Sequence, residues 1–422
     1  MLLVLVVLGL GLRLFALERF ADLELVGDQN RYLEDAERLL DGEEMVAKRG
    51  PGYPAFVAAS EVALGGGVAG ARRGNALLGV LVVIGTWALG RRLFSVRAGL
   101  VAAGVVALLP RNLPFGLYLF SENLYAVCAC LGVLLALVAA QESRVLLALA
   151  AGAVLGVGVL TREMMLYFVP LVAVALCWCV PFRGRSTLRV AGAILGGAFL
   201  VIAPWSLRNQ SVHEQFVLVG FSDGRPLYLG NYVGTDKNEK ETAQALYRET
   251  QSLVDTNAGM REIGMQAIRD RQPTWLFEKV AETVPLLLRP NEKGNVVWGW
   301  SGRAENHDWA EARLRWFLLP SQAALLVLAS IGLAHFGWRR AELLPLLFLG
   351  FTFLAHVVAN ANPFRFQYPL TWVMALAAGV AVDRGLPRTG PRRLLAALVL
   401  AVVVLSQWAV REAWTAPFGW GE

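Results

Sequence analysis

The chain has 422 residues, 56% of them hydrophobic and 17% charged, with a mean hydropathy of +0.50. Soluble globular chains average about 45–50% apolar and about 25% charged residues, so this composition excludes an ordinary soluble domain. The net charge of +6 invites a nucleic-acid reading, but the arginines lie in short loops between apolar blocks. That is a topology signal, and no nucleic-acid partner is expected.

Apolar blocks of about 17–22 residues match a hydrocarbon core of about 30 Å. Spans are expected near 1–19, 71–90, 97–113, 121–140, 144–160, 164–181, 188–207, 315–335, 342–360, 368–383 and 393–411. The first block lacks a basic leader and a small-residue cleavage site, so it reads as an uncleaved span. The expected fold is an all-α polytopic membrane protein of about eleven transmembrane helices, with interfacial helices in the first external loop and a small mixed external region. Three parts follow: an N-terminal module over 1–207 with a functional loop at 20–70, an external loop or cap at 208–314, and a C-terminal module at 315–422.

Arginines crowd the loops of one face: Arg91, Arg92 and Arg97; Arg144; Arg183, Arg185 and Arg189; Arg339 and Arg340; and Arg384, Arg388, Arg392 and Arg393. The short loops of the other face hold Arg111, Arg162 and Arg365. Basic loops stay cytoplasmic. The expected location is therefore the plasma membrane, with the N-terminus inside and the 20–70 and 208–314 loops outside.

In the first loop, "DQNRYLEDAERLLDG" puts Tyr32, Ala36, Leu39 and Leu40 on one helical face, with Gly42 ending the helix. "PGYPAFVAASEVAL" reads as a second short helix with proline near its start. Further on, "FVLVGFSDGRPLYLGN" predicts short strands or extended loops with turns at Ser222-Asp223-Gly224 and Gly230-Asn231. "ETAQALYRETQSLVDTNAGMREIGMQAIRDRQ" predicts one or two amphipathic helices, and "PTWLFEKVAETVPLLL" another. Trp298 and Trp300 suit an interfacial belt.

The unusual polar residues gather at the external span ends: Asp28, Lys48, Arg49, Arg111, Asn112, Glu122, Arg162, Glu163, Arg208, Asn209 and Arg365, with Arg13 in the outer part of the first span. A lone arginine at a span end is commonly a snorkelling anchor, and a glutamate opening a span commonly caps its helix. Their shared face is what points further, because several Arg/Lys groups beside a carboxylate suit a phosphate-bearing substrate. The four histidines are dispersed, and no metal-binding histidine spacing, phosphate-cradling loop or dinucleotide motif occurs. The C-x-C pairs Cys128/Cys130 and Cys177/Cys179 point in different directions on a helix and read as small apolar residues.

An acidic residue four positions before a tyrosine (Asp28 to Tyr32), then a glycine and "RGPGYP", resembles the first external loop of GT-C membrane glycosyltransferases. The closest branch is that of the protein O-mannosyltransferases and the lipid A aminoarabinose transferase. "SENLY", "LTRE", "PWSLRN" with the segment after it, and "FRFQYPL" continue the resemblance in family order over most of the chain. The resemblance implies a polyprenyl-phosphate-linked sugar donor, an external acceptor on a protein, lipid or envelope glycan, and membrane lipid around the chain. It implies Asp28 as the base and Lys48, Arg49, Arg162, Arg208 and Arg365 as ligands of the lipid phosphate, and Tyr32, Tyr53, Glu122 and Asn209 are expected to line the substrate site. Many relatives carry a second acid directly after the first; Gln29 stands there in this chain. No cofactor is expected to be required, and a divalent metal finds no support in the sequence.

Chemistry points the same way. Preorganised Arg/Lys can stabilise a departing phosphate without a metal, and one carboxylate suffices to deprotonate an acceptor hydroxyl. Inversion follows if no covalent intermediate forms. The competing readings are a transporter or flippase of lipid-linked saccharide, a non-catalytic scaffold, and an envelope polymerase or ligase. A transporter tends to show internal repeats and midplane charge, and neither is seen.

Overall fold

The computed structural model describes residues 1–25, 27–45, 49–179, 184–214, 216–220, 224–231, 239–250, 252–288, 307–337, 340–359 and 367–409. Lys48, Arg365, Trp298 and Trp300 lie outside them. Among the described residues helix is the one regular element, with turns and irregular segments between helices and no strand.

The helices run in chain order as α1 (Leu2–Arg19), α2 (Asp28–Asp41), α3 (Gly52–Leu64), α4 (Gly67–Leu93), α5 (Val96–Leu108), a 3₁₀ turn (Pro110–Asn112), α6 (Pro114–Leu117), α7 (Glu122–Glu142), α8 (Val145–Thr161), α9 (Met165–Cys179) and α10 (Arg185–His213). There follow α11 (Gly224–Asn231), α12 (Glu239–Thr250), α13 (Leu253–Asp270), α14 (Trp275–Leu288), α15 (His307–Leu333), α16 (Leu343–Val358), α17 (Gln367–Arg384) and α18 (Gly390–Ala409).

A helix stands at every position where an apolar block predicts a span. Among the described residues, three helices are long and apolar enough by length and composition to cross a bilayer: Gly67–Leu93, Glu122–Glu142 and Arg185–Val212. A fourth arises if Val96–Leu108 and Pro110–Leu117, bent by 55°, act as one span.

Small residues let these helices approach closely, as in other membrane bundles. A Cβ on Gly152 of α8 would lie 2.0 Å from the Ile194 carbonyl of α10, and one on Gly197 would lie 2.2 Å from the Leu149 carbonyl of α8. Gly379 of α17 sits as close to the Ala98 carbonyl of α5, where a Cβ would be 2.3 Å away. All four cysteines are free, and Cys128, Cys130 and Cys179 are buried.

Arg13 is buried in α1 and donates to the carbonyls of Gly9, Ala107 and Val106. Asn112 also donates to Val106. The last turn of α5 leaves carbonyls without intrahelical partners, and these two side chains cap them at the bend.

Two expectations are corrected. Gly224–Asn231 is helical rather than extended, and no strand occurs among the described residues, so the described part of the 208–314 region consists of helices joined by irregular segments such as 216–220 rather than of mixed helix and strand. Pro226 falls in the first turn, where its missing N–H costs nothing, and the Gly224 N–H is capped by the Asn257 side chain at 2.9 Å. In α2 the buried stripe is Gln29, Tyr32 and Ala36, whereas Leu40 is exposed at the helix end.

Candidate active site

The site is built around α2 and the knot Arg49–Tyr53. Gly42 ends α2 with φ 72° and ψ 16°, the left-handed geometry that glycine adopts without penalty. The chain then turns back so that the knot meets the end of α8. A Cβ on Gly50 would sit 2.0 Å from the Leu160 carbonyl, and one on Gly52 would sit 2.7 Å from Thr161 Oγ1. Only glycine lets the knot lie this close, and the contact places Arg49 and Arg162 beside the same backbone junction.

Asp28 opens α2. Arg49 Nη2 donates to Asp28 Oδ1 at 2.7 Å, and the two side chains are 19% and 31% exposed respectively. The guanidinium also lies over the Tyr32 ring, 5.3 Å from its centroid, a favourable placement for a cation. Burial works against the charge on Arg49, but Tyr32 and Asp28 outweigh it and hold the guanidinium pKa above its ordinary value.

Tyr32 and Tyr53 are both buried and pack edge to face with centroids 4.8 Å apart. The Tyr32 hydroxyl donates to Ser121 Oγ at 3.1 Å. The Tyr53 hydroxyl donates to Asn75 Oδ1 at 3.1 Å, and Asn75 in turn donates to the Tyr118 carbonyl at 2.7 Å. Both phenols therefore tie the first loop to α4 and to the start of α7.

Glu122 follows Ser121 directly and is fully buried at 0% exposure. Arg162 Nη2 donates to its Oε1 at 2.7 Å. Its position in the first turn of α7 adds the favourable end of the helix dipole.

Arg208 reaches the same loop from α10. Its Nη2 donates to the Met45 carbonyl at 2.7 Å, and its guanidinium lies over the Trp205 ring at 4.9 Å. The rest of "PWSLRN" faces the returning chain. Trp205 Nε1 and Asn209 Nδ2 donate to the Val219 carbonyl, Asn209 also donates to Val217, and Ser206 donates to Leu218. Val219 closes the ring of contacts, because a Cβ on Gly50 would be 3.0 Å from its Cγ1.

The structure thus brings Asp28, Tyr32, Arg49, Tyr53, Glu122, Arg162, Arg208 and Asn209 to one region. Lys48 and Arg365 are outside the described residues. Sequence reasoning passed over Arg72, Asn75 and Ser121. Arg72 is buried and donates to the carbonyls of Leu117 at 2.9 Å and Ala21 at 2.8 Å, and to that of Leu23, anchoring the link between α1 and α2. An arginine at the start of an apolar helix, on the face where the sequence predicts few basic residues, was the available signal.

Beside Asp28 stands the amide Gln29 rather than a second carboxylate. Gln29 is buried, and its Oε1 accepts the Leu119 N–H at 3.1 Å. Asp28 and Glu122 each face a guanidinium. Among the described residues no three His, Cys, Asp or Glu side chains gather as metal ligands.

Residues 48–207 match the family model of dolichyl-phosphate-mannose-protein mannosyltransferases. The match includes the knot, Glu122 and Arg162 but neither Asp28 nor Arg208. No curated protein matches the chain. Solved structures do. An Archaeoglobus fulgidus oligosaccharyltransferase complexed with zinc and sulfate aligns over 98% of this chain at 14% identity and a TM-score of 0.56. The Archaeoglobus fulgidus oligosaccharyltransferase AglB, complexed with an inhibitory peptide and a dolichol-phosphate, aligns over 100% at 14% identity and a TM-score of 0.55. ArnT from Cupriavidus metallidurans, bound to undecaprenyl phosphate, aligns over 97% at 16% identity and a TM-score of 0.54. The chain spans 52%, 56% and 65% of those three chains, respectively. At this identity the likeness establishes the fold alone, which the chain shares with these three proteins.

Proposed function

We propose that the chain is a GT-C glycosyltransferase that moves a sugar from a polyprenyl-phosphate donor to an acceptor hydroxyl at the outer face of the plasma membrane, with inversion. The observation that carries this reading is the convergence of Asp28 with Arg49, Arg162 and Arg208 around the knot. The peptide, dolichol-phosphate and undecaprenyl phosphate held by the structural neighbours support the ligand classes.

Asp28 accepts the acceptor's hydroxyl proton. The acceptor oxygen bonds to the anomeric carbon as the bond from that carbon to the phosphate oxygen breaks. The electron pair leaves with the polyprenyl phosphate, whose charge Arg49, Arg162 and Arg208 stabilise, together with Lys48 and Arg365. Preorganised cations aimed at developing charge are commonly the largest contribution to such catalysis. Tyr32, Tyr53 and Asn209 position the loop and the return segment, and Glu122 orients Arg162. No step needs a metal.

The eleven helices at the predicted positions are read as spans, with the arginine-rich loops inside. The 208–314 region is read as a cap over the acceptor side. A reporter placed after Arg97 or Arg189 is expected inside the cell, and one near Asn238 outside.

The test is transfer by the purified chain in liposomes, with polyprenyl-phosphate mannose as the first donor, beside mass spectrometry of envelope glycans and glycoproteins with and without the protein. A glycan or glycoprotein lost with the gene product and restored with it is expected. An unchanged envelope together with movement of lipid-linked sugar across the bilayer would support a flippase instead.

A further inference from the structure

The Asp28–Arg49 pair holds a second consequence, which rests on the reading of Asp28 as base and Arg49 as phosphate ligand. A guanidinium carries five N–H donors. Asp28 takes Nη2 at 2.7 Å. Nη1 is buried and has no hydrogen-bond partner among the described residues, and a buried donor without an acceptor calls for one. We propose that Arg49 is a bridge: it keeps Nη2 on the Asp28 carboxylate while its other N–H groups take an oxygen of the departing lipid phosphate, so that one rigid group sets the spacing between base and leaving group.

Geometry gives the bridge its use. Charge-assisted hydrogen bonds of about 2.7–2.9 Å from two edges of one guanidinium hold their acceptor oxygens roughly 6–7 Å apart. By analogy, the two carboxyl groups that flank the scissile bond stand about 6.5–9.5 Å apart in inverting glycosidases, which leaves room for the attacking water, and only about 5–5.5 Å apart in retaining ones. A guanidinium bridge therefore leaves room for the anomeric carbon and the attacking oxygen. A single ammonium holding both acceptors would bring them under about 5 Å, too close for direct displacement. The Tyr32 ring beneath the guanidinium and the Tyr32–Ser121 bond keep the bridge from turning.

The reaction balances as before. The proton passes from acceptor oxygen to Asp28, a carbon–oxygen bond forms at the anomeric centre, and the phosphate leaves with the electrons of the broken bond. Arg49 gains and loses nothing; it is a positioning residue for Asp28 and a ligand of the phosphate at once.

The experiment is a structure of the full chain in nanodiscs with undecaprenyl phosphate, whose phosphate stands for the leaving group. Arg49 is expected within hydrogen-bond distance of both Asp28 and a phosphate oxygen. Arg49 swung away from Asp28, or a phosphate held without Arg49, overturns the bridge. In solution, Arg49→Lys is expected to bind undecaprenyl phosphate within about threefold of wild type while kcat falls about 10²-fold, the cost of a misplacement near 1 Å. A raised KM with unchanged kcat in Arg49→Lys, alongside an inactive Asp28→Asn, overturns the bridge alone. Failure of the wild-type chain to bind undecaprenyl phosphate, or full transfer by Asp28→Asn, overturns the underlying reading as well.

Discussion

Arg162 and Glu122 meet at 2.7 Å where the end of α8 faces the start of α7, with the carboxylate fully buried and the guanidinium partly exposed. The asymmetry predicts unequal mutants. Arg162→Met takes the guanidinium away from a buried carboxylate, and breaking such a pair from one side costs about 3–5 kcal/mol. Glu122→Gln leaves the cation with access to water and keeps a hydrogen-bond acceptor, so it should cost less. Thermal unfolding of both variants in the same detergent checks this; equal losses would mean the pair is not buried as described.

The knot's two glycines make a second prediction. Gly50→Ala drives a Cβ to 2.0 Å from the Leu160 carbonyl, which is backbone and cannot rotate away. Overpacking of this kind costs about 1–3 kcal/mol, and it should push Arg49 off its position and lower transfer with it. Gly66→Ala meets nothing within 4 Å and serves as the neutral control. Melting temperature and turnover, measured together, separate a displaced knot from a global loss of fold.

Asn209 leads to a third. Its amide donates to the carbonyls of Val217 at 3.1 Å and Val219 at 3.0 Å from a fully buried position. Asn209→Ala takes the described donor from the Val217 carbonyl, at about 1–3 kcal/mol for a buried group left unsatisfied, while the Val219 carbonyl keeps the Trp205 indole N–H. Faster hydrogen exchange confined to residues 216–220 is expected, with lipid-phosphate affinity falling as the segment lifts from Gly50. An Asn209→Ala chain with wild-type exchange there but weakened affinity would make Asn209 a direct substrate ligand instead.

How far these features were legible before the structure depends on their range along the chain. Spans, the α2 helix and its Gly42 stop follow from periodicity and turn chemistry, which act over a few residues. The identity of partners does not. Tyr32 meets Ser121 across 89 positions and Arg208 meets Met45 across 163, and no local pattern encodes such pairings. For the same reason the motif "PWSLRN" announced that its residues matter without revealing that Trp205, Ser206 and Asn209 staple a backbone while Arg208 alone of the four reaches the first loop. The α11 helix was misread because Gly, Pro and Asn signal turns, and the Asn257 cap that favours a helix lies 33 residues away.

Asp35 supplies a control with its own pH dependence. Burial raises its pKa, with Arg38 and Arg49 pulling the other way. An acid whose folded pKa lies above its unfolded value destabilises the fold once pH rises through that interval, because ionisation then favours the unfolded chain. Asp35→Asn removes this effect. The variant should match or slightly exceed wild-type stability at pH 7 and lose the advantage as pH falls through the ordinary carboxylate range, below which Asp35 is protonated in both the folded and the unfolded chain. A clear destabilisation at pH 7 would show that the charge of Asp35 is used.

Asp28→Asn is the decisive substitution. It keeps the shape of the side chain and an oxygen that can still accept from Arg49, but it cannot take a proton near neutral pH. A general base contributes about 10²–10⁴ in rate, so turnover should fall by that factor while expression, membrane insertion and undecaprenyl phosphate binding stay near wild type. Asp22→Asn, Glu24→Gln and Asp35→Asn should retain most activity, since none of these carboxylates forms a described ion pair with a proposed phosphate ligand. The comparison is internal to one loop, so a general disturbance of the loop would strike all four variants together. If Asp28→Asn transfers at the wild-type rate, or Asp35→Asn is the inactive variant, the base has been placed on the wrong carboxylate and the role of Arg49 must be reassigned with it.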